Sequence, residues 1–140
     1  MNKELKKSVN DLVKNFIKEM HCWEIFCNEI DKSDLHYLEI EAKQREYVKN
    51  IFDKYCTQKD RKQGLPNCMS YGVNGSFRYN ETEDIIKIEQ ENKNRILVIT
   101  NGENEVDKYM YIVLLINGKW LIDNKKRKFF DEEDFRNTYL

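Results

Sequence analysis

The side chains that could bind a metal ion or act as nucleophiles in this chain include four cysteines and two histidines. His21, Cys22 and Cys27 are close in sequence, but the step of five residues between the cysteines puts them on different faces of a helix. No Cys-x-x-Cys or His-x-x-x-His pair occurs, although zinc sites use such spacings. His36 lies between two apolar residues, which is typical of a helix cap or boundary. The sequence therefore predicts no metal site and no cofactor.

Asp123 is the carboxylate whose position most suggests acid–base chemistry. It follows an apolar run on a predicted strand, where it would lie opposite Ile112 and could act as a general base. Tyr109 or Tyr111 would complete the acid–base pair. An aspartate at a strand end that is satisfied by water or by Lys125 is the simpler interpretation. Because the sequence also contains no Gly-x-Ser-x-Gly turn and no glycine-rich phosphate loop, we predict that the protein is not an enzyme.

A basic run at 125–128 precedes two phenylalanines, and cations beside aromatic side chains can bind nucleic acid. Four acidic residues at 131–134 follow and cancel the local field. The whole chain is also balanced, with 24 basic and 25 acidic residues and a formal net charge of −1. This balance favours neither nucleic acid nor an anionic membrane as a partner.

The chain has the length of one domain, and we expect residues 1–140 to form a single domain. Its hydrophobic content of 40% supports a globular core. The charged N-terminus lacks the apolar run of a signal peptide, and no segment approaches the ~20 apolar residues of a membrane span. We therefore expect a cytoplasmic protein with no membrane partner, in which the cysteines stay reduced.

The segment of about 3–57 is predicted to be the helical part. Apolar residues recur at steps of three and four, which indicates one helix over about 3–30. A second helix, capped by Ser33 or Asp34, is predicted to end near 56. Helices placed before strands predict the α+β class, with the helices packed on one face of a curved antiparallel sheet.

The antiparallel sheet is predicted over about 71–130, because the period of the apolar pattern changes to two from Ile85 onward. Its strongest signal is Asn117-Gly118 between two aromatic-rich apolar runs. Both positions of a two-residue hairpin turn need φ > 0, and asparagine and glycine adopt it readily. The turn pairs Ile116 with Lys119, and the predicted pairing then proceeds one residue at a time along both strands away from the turn.

A short helix is predicted over 131–140, after the sheet. Asp131 can cap it, and Phe130 outside the helix can contact Phe135 one turn inside. The four acidic residues suit the dipole of a helix N-terminus, which explains them better than an acidic binding tail does.

Both faces of the predicted hairpin are apolar, although a sheet with one wet face should alternate cleanly. The face expected to pack on the helices carries Tyr111, Val113, Leu115, Trp120 and Ile122. The second face carries Met110, Ile112, Leu114, Ile116 and Leu121, mixed with Lys119, Asp123 and Lys125. Such a face is too apolar for free water, so either the sheet curls over it or a protein partner binds it.

Two motifs carry a resemblance to a known family. The first is Thr57-x-Lys59-x-Arg61-x-x-Gly64-x-Pro66 with Tyr71 after it, and the second is a Lys108-Tyr109-Met110-Tyr111 strand followed by Asn117-Gly118-Lys119-Trp120-Leu121-Ile122-Asp123. Together they resemble immunity proteins of the nuclear transport factor 2-like fold, which accompany bacterial polymorphic toxins of the Rhs and contact-dependent type. Phe135 stands where members of that family often have a tryptophan.

The resemblance implies helices wrapped around a bent antiparallel sheet that forms a cone with a cavity. It also implies a bacterial protein that binds a cognate toxin domain and blocks it without catalysis. Within the first motif, Arg61, Gly64 and Pro66 are expected to order the loop between helix and sheet, with Arg61 holding a carboxylate by a bidentate contact.

The partner-binding residues that we expect come from the second hairpin face. They are Met110, Ile112, Leu114 and Leu121, with Lys119 and Asp123 at the rim. Two other functions remain open on the same fold. One is a small cavity enzyme of the isomerase or dehydratase type, and the other is a homodimeric scaffold that binds a ligand.

Overall fold

The computed structural model of the chain describes residues 1–102, 107–129 and 132–140. Two helices come first, α1 over Lys3–Ile30 and α2 over Tyr37–Tyr55. Five strands follow, which are β1 (Ile85–Asn92), β2 (Arg95–Asn101), β3 (Lys108–Ile116), β4 (Lys119–Lys128) and β5 (Arg136–Thr138). The α+β class predicted from the sequence is confirmed.

Side-chain caps begin both helices. The amide oxygen of Asn2 accepts a hydrogen bond of 2.7 Å from a backbone N–H in the first turn of α1. A ring nitrogen of His36 does the same for α2, at 3.2 Å, so the predicted helix boundary at His36 is confirmed. The prediction that Ser33 or Asp34 caps α2 is wrong, because Ser33 instead donates its hydroxyl to the carbonyl of Ile30 at the end of α1.

The five strands form one antiparallel sheet in the order β1-β2-β3-β4-β5. Asn117 and Gly118 join β3 to β4 with φ values of 51° and 78°, as a two-residue hairpin turn requires. Near the turn the register is the predicted one, with Ile116 opposite Lys119 and Leu115 opposite Trp120. The tight turn therefore determines which side chains of the two strands share a face.

Farther from the turn, β4 contains a bulge that the sequence analysis did not predict. Val113 pairs with Ile122, but the next residue of β3, Ile112, pairs with Asn124. Asp123 is the extra residue, so the predicted position of Asp123 opposite Ile112 is wrong. A bulge shifts the alternation of all later residues by one. Lys125, which we had assigned to the second face, is consequently on the helix side of the sheet.

The C-terminal segment is a strand where the sequence predicted a helix. Within 132–140, β5 pairs with β4 through Arg136 opposite Arg127 and Thr138 opposite Lys125. The free edge of β4 offers backbone hydrogen bonds that an isolated short helix cannot match, and the pairing brings Leu140 into the core. The predicted cap at Asp131 and its neighbour Phe130 lie outside the described residues.

The hydrophobic core lies between the two helices and the inner face of the sheet. Phe16 of α1 is central in it, and its ring makes edge contacts with the rings of Phe52, Tyr55, Tyr79 and Tyr111. Tyr111, Val113 and Ile122 of the predicted helix-packing face are all fully buried there. In the part of the chain that the structure describes, neither helix is long and apolar enough to span a membrane.

Candidate functional site

The sheet face that points away from the helices, called the outer face below, carries a group of apolar side chains. Strand pairing places Leu97 of β2 opposite Ile112, and Leu114 opposite Leu121. The members of the group are Leu97, Ile99, Met110, Ile112, Leu114 and Leu121. The four apolar residues of the predicted partner-binding set thus lie next to one another on one surface.

The centre of the outer face is dry, although it is separate from the main core. Ile112 is 4% exposed and Leu97 is 8% exposed, and neither belongs to the core cluster under the helices. Met110, Leu114 and Leu121 around them are partly exposed, and Ile116 toward the turn is 42% exposed. The partly exposed apolar side chains around this covered centre form a contiguous patch, and exposed apolar patches are typical of protein-binding surfaces.

Lysines border the outer face along β4. Lys119 is exposed beside the hairpin turn. Because of the bulge, Lys126 pairs with Met110 on this same face, in place of Lys125, which regular alternation predicts there. On the opposite border, the Glu91 carboxylate lies 2.5 Å from Nε of Arg95 and neutralises that cation.

Asp123 lies at the edge of β4, where it is held by the loop after α2. The Thr57 hydroxyl donates a hydrogen bond of 2.7 Å to one carboxylate oxygen, and Nζ of Lys59 lies 3.2 Å from the other. The backbone N–H of Thr57 also donates to the carbonyl of Ile122, at 2.9 Å. These contacts explain the bulge, because they draw the Asp123 side chain out of the ladder and toward the loop.

Arg61 orders the same loop, but the predicted bidentate contact with a carboxylate is wrong. Its guanidinium donates to the carbonyl of Thr57 at 2.8 Å and to the carbonyl of Asp123 at 3.2 Å. It also lies over the ring of Phe52, at 5.4 Å from the centroid. A guanidinium can join two backbone segments in this way because its several donors point in fixed directions.

The remaining residues of the first motif support the loop at other points. The carbonyl of Pro66 accepts a hydrogen bond of 3.0 Å from Arg45 of α2. Gly64 is buried beside Tyr139 near the C-terminus. The Tyr71 hydroxyl donates to the Asp31 carboxylate and its ring packs edge-on against Trp23. These residues hold the irregular segment between α2 and β1 in place.

Two buried acidic residues were not identified from the sequence. Glu24 of α1 is fully buried, and its carboxylate accepts hydrogen bonds from the backbone N–H groups of Gly72, Arg78 and Tyr79 at 2.5–3.2 Å. The sequence signal that could have identified Glu24 is its position as an acid within the apolar stripe of α1. Glu83 is 3% exposed. Glu83 lies in the acidic run 81–84, and nothing in the sequence distinguishes it from the other acids of that run.

Glu83 accepts hydrogen bonds from the hydroxyls of Thr100 at 2.7 Å and of Tyr111 at 2.9 Å. Burial, with the charge of Glu83 as the second cause, raises the pKa of Tyr111 well above its usual value. The Tyr111 hydroxyl is therefore hydrogen-bonded to Glu83, while the Asp123 carboxylate is bound by Thr57 and Lys59. The predicted acid–base pair of Asp123 with Tyr109 or Tyr111 does not form. Across 1–102, 107–129 and 132–140, no three His, Cys, Asp or Glu side chains cluster as metal ligands would.

Comparison with known proteins agrees with the motifs. The model of a family described as NTF2 fold immunity protein matches residues 8–138. Immunity protein RhsIA of Dickeya dadantii (strain 3937) is 30% identical over 132 residues, which are 93% of this chain and 94% of that protein. No solved structure matches the chain significantly. The chain therefore belongs to the family of toxin-neutralising immunity proteins with the nuclear transport factor 2 fold.

Proposed function

We propose that this protein binds a cognate toxin domain in the cytoplasm and neutralises it by covering the toxin's active site, without catalysis of its own. The outer face is the contact surface in this proposal. The observation that supports it is the patch of partly exposed apolar side chains, Met110, Leu114 and Leu121, which surrounds the dry centre at Ile112 and Leu97 outside the core that the helices cover. A partner would extend that dry area over the partly exposed side chains around it.

The proposed contact set is Met110, Ile112, Leu114 and Leu121, with Lys119 and Asp123 at the rim. The apolar members supply the affinity, because a few buried central side chains dominate the energy of most protein interfaces. Asp123 acts through the 57–61 loop, which it holds beside the face. The lysines along β4 favour an acidic toxin surface, and such complementarity mainly accelerates association.

Growth protection tests this proposal directly. The chain is co-expressed with the C-terminal domain of any large toxin that is encoded directly upstream of it, as wild type and as the variants Leu121→Glu and Lys119→Glu. We expect the wild type to restore growth and Leu121→Glu to lose protection, because a carboxylate would then lie among the apolar side chains of the contact. Thermal unfolding of the purified variant shows whether Leu121→Glu is folded.

Lys119 is exposed, so its substitution leaves the core intact. The Lys119→Glu variant also has a matched control. Lys7→Glu makes the same charge change at an exposed position of α1. We expect Lys119→Glu to slow toxin association in binding kinetics and Lys7→Glu to leave it unchanged. If Lys119→Glu and Lys7→Glu associated with the toxin at equal rates, and a folded Leu121→Glu variant gave full protection, the outer face would be excluded as the toxin-binding surface.

The outer face could instead join two copies of the chain. Light scattering on the free protein separates this homodimer from the toxin-binding proposal. A dimer that Leu121→Glu converts to a monomer, while that variant still protects cells, would assign the face to self-association.

A further inference from the structure

A small cavity with three cationic side chains lies on the helix side of the sheet, where β4 and β5 pair. Its volume is about 230 Å³. Its cations are Arg78, Lys125 and Arg127, and its other lining residues are Tyr109, Phe129, Thr138 and Tyr139. The cavity is separate from the outer face and contains none of the proposed toxin-binding residues.

Lys125 is 4% exposed, and its Nζ faces aromatic rings instead of an acid. The ammonium lies 4.3 Å from the ring centroids of Tyr79 and Tyr109 and 5.3 Å from that of Tyr111. Among the described residues, no carboxylate lies within 4.0 Å of this ammonium. A buried ammonium without a close counter-ion is uncommon, because desolvation of an unpaired charge is costly.

Two acids influence Lys125 from a greater distance. Glu83 favours the charged form of the lysine, but both of its hydrogen bonds come from hydroxyl groups. Glu24 also favours the charged form, and it is occupied by backbone N–H groups. Burial outweighs them and lowers the pKa of Lys125, and the like charge of Arg78 acts in the same direction.

Few of the donors of the two arginines are occupied by acceptors in the described part of the chain. Arg78 donates one hydrogen bond, of 2.7 Å, from its guanidinium to the Ser70 hydroxyl. Arg127 lies over the ring of Phe129, at 4.4 Å from the centroid. Neither makes an ion pair with a described residue. Positive charge therefore accumulates around one small cavity with partly apolar walls.

We propose that this cavity is a binding site for a single oxyanion group, a carboxylate or a phosphate. The group would contact Lys125 at the base and the guanidinium donors of Arg78 and Arg127 at the mouth. Charge-assisted hydrogen bonds of this kind are strong, and the aromatic walls strengthen them by excluding water. The volume is below the 300–1,000 Å³ that is usual for drug-sized ligands, so the site suits one group and not a large molecule.

Titration of the free, full-length protein with inorganic phosphate and with acetate, at constant ionic strength, tests the site. Amide chemical shifts and calorimetry follow binding to the wild type, to Arg127→Gln and to Lys126→Gln. Lys126 is the matched control, because it precedes Arg127 in β4 but lies on the outer face. We expect saturable shifts around Lys125 and Thr138, unchanged affinity in Lys126→Gln, and affinity weaker by about tenfold or more in Arg127→Gln.

The absence of saturable shifts with both anions, or an equal loss of affinity in the two variants, would overturn the proposal. Arg127→Gln is preferred to a Lys125 substitution because Arg127 is partly exposed. If the variant still fails to fold, Arg78→Gln replaces it at the exposed mouth of the cavity. The titration uses no toxin, so its result does not depend on the proposed immunity mechanism.

Competition with the toxin then distinguishes the two sources of the oxyanion. If phosphate weakens toxin binding and Arg127→Gln weakens it too, the site accepts an acidic side chain of the toxin. If phosphate binds while toxin affinity stays constant, the site accepts a small free anion. Both results support an oxyanion site.

Discussion

Thr57 and Asp123 are 66 positions apart in sequence, and the Thr57 hydroxyl donates a hydrogen bond of 2.7 Å to the Asp123 carboxylate. Lys59 and Arg61 add contacts to the side chain and the carbonyl of Asp123. The two motifs that carry the family resemblance are therefore one spatial unit. This unit fastens the end of α2 to the edge of β4 beside the outer face.

Asp123→Ala should lower the free energy of unfolding by about 1.5–3 kcal/mol, because it removes a charge-assisted hydrogen bond and an ion pair from a site where Asp123 is only 22% exposed. Asp53→Ala is the control. Its partner Lys49 lies 3.7 Å away and both side chains are largely exposed, so the change should stay within ~0.5 kcal/mol. Urea unfolding measures both, and equal losses would contradict the anchoring role of Asp123.

Glu24→Gln should destabilise the protein by about 2–3 kcal/mol, because a neutral amide oxygen replaces the charged acceptor of three backbone N–H groups. Glu29→Gln, on the same helix but exposed, should have little effect. Hydrogen exchange gives a local measurement. The amides of Gly72, Arg78 and Tyr79 should lose protection in Glu24→Gln, and unchanged protection would show that Glu24 does not hold this segment.

The four thiols should fall into two classes. Burial raises the pKa of Cys27 and of Cys56, each to about 12, so both are protonated at pH 8 and cannot react as thiolates. Cys22 and Cys68 are exposed. Ellman's reagent at pH 8 should therefore titrate two thiols rapidly in the native protein and four in denaturant. A third rapidly reacting thiol in the native state would contradict this assignment.

The buried thiols of Cys27 and Cys56 should make the protein less stable at high pH. Their pKa rises on folding from the ordinary 9.0 to about 12, so the folded state binds the proton more tightly than the unfolded state. Their contribution to stability is complete below pH 9 and is lost as the pH rises toward 12. Cys27→Ala should reduce this part of the decline in urea unfolding measured between pH 8 and 10. An unchanged slope would show that Cys27 does not contribute to it.

Gly118→Ala should cost about 1–2 kcal/mol, because φ at this position is 78° and an L side chain is strained there. Gly64→Ala is the comparison, since its added Cβ would meet Tyr139 at an ordinary 3.6 Å. We expect the Gly64 variant to be the more stable of the two in thermal unfolding. The reverse order would show that Gly64 is needed for more than its small size.

The elements predicted correctly are those with a local signal. The periodicity of α1 and the Asn117-Gly118 turn depend on neighbouring residues alone, and both agree with the structure. The outer face could be predicted as well, because the turn fixes the register of the residues next to it. Its four apolar positions, Met110, Ile112, Leu114 and Leu121, lie together as expected.

The errors come from contacts between segments that are distant in sequence. The segment from Asp123 to Lys128 is polar throughout, so no apolar residue indicated that the alternation shifts there. The acidic start of the last segment favours a helix locally, but pairing with the edge of β4 makes β5 a strand. Glu24 appears in the sequence only as an acid on an apolar stripe, and its backbone partners lie 48–55 positions away.

The bulge at Asp123 makes the register of β4 a determinant of its chemistry. It directs Lys125 and Arg127 inward and Lys126 and Lys128 outward. Regular pairing of the same residues, without the bulge, would exchange the two pairs without changing the identity of any of them. A lysine would leave its aromatic surroundings, and the solvent would meet a different charge pattern. In this strand, the presence of the bulge is therefore as effective as a substitution in determining what a partner can recognise.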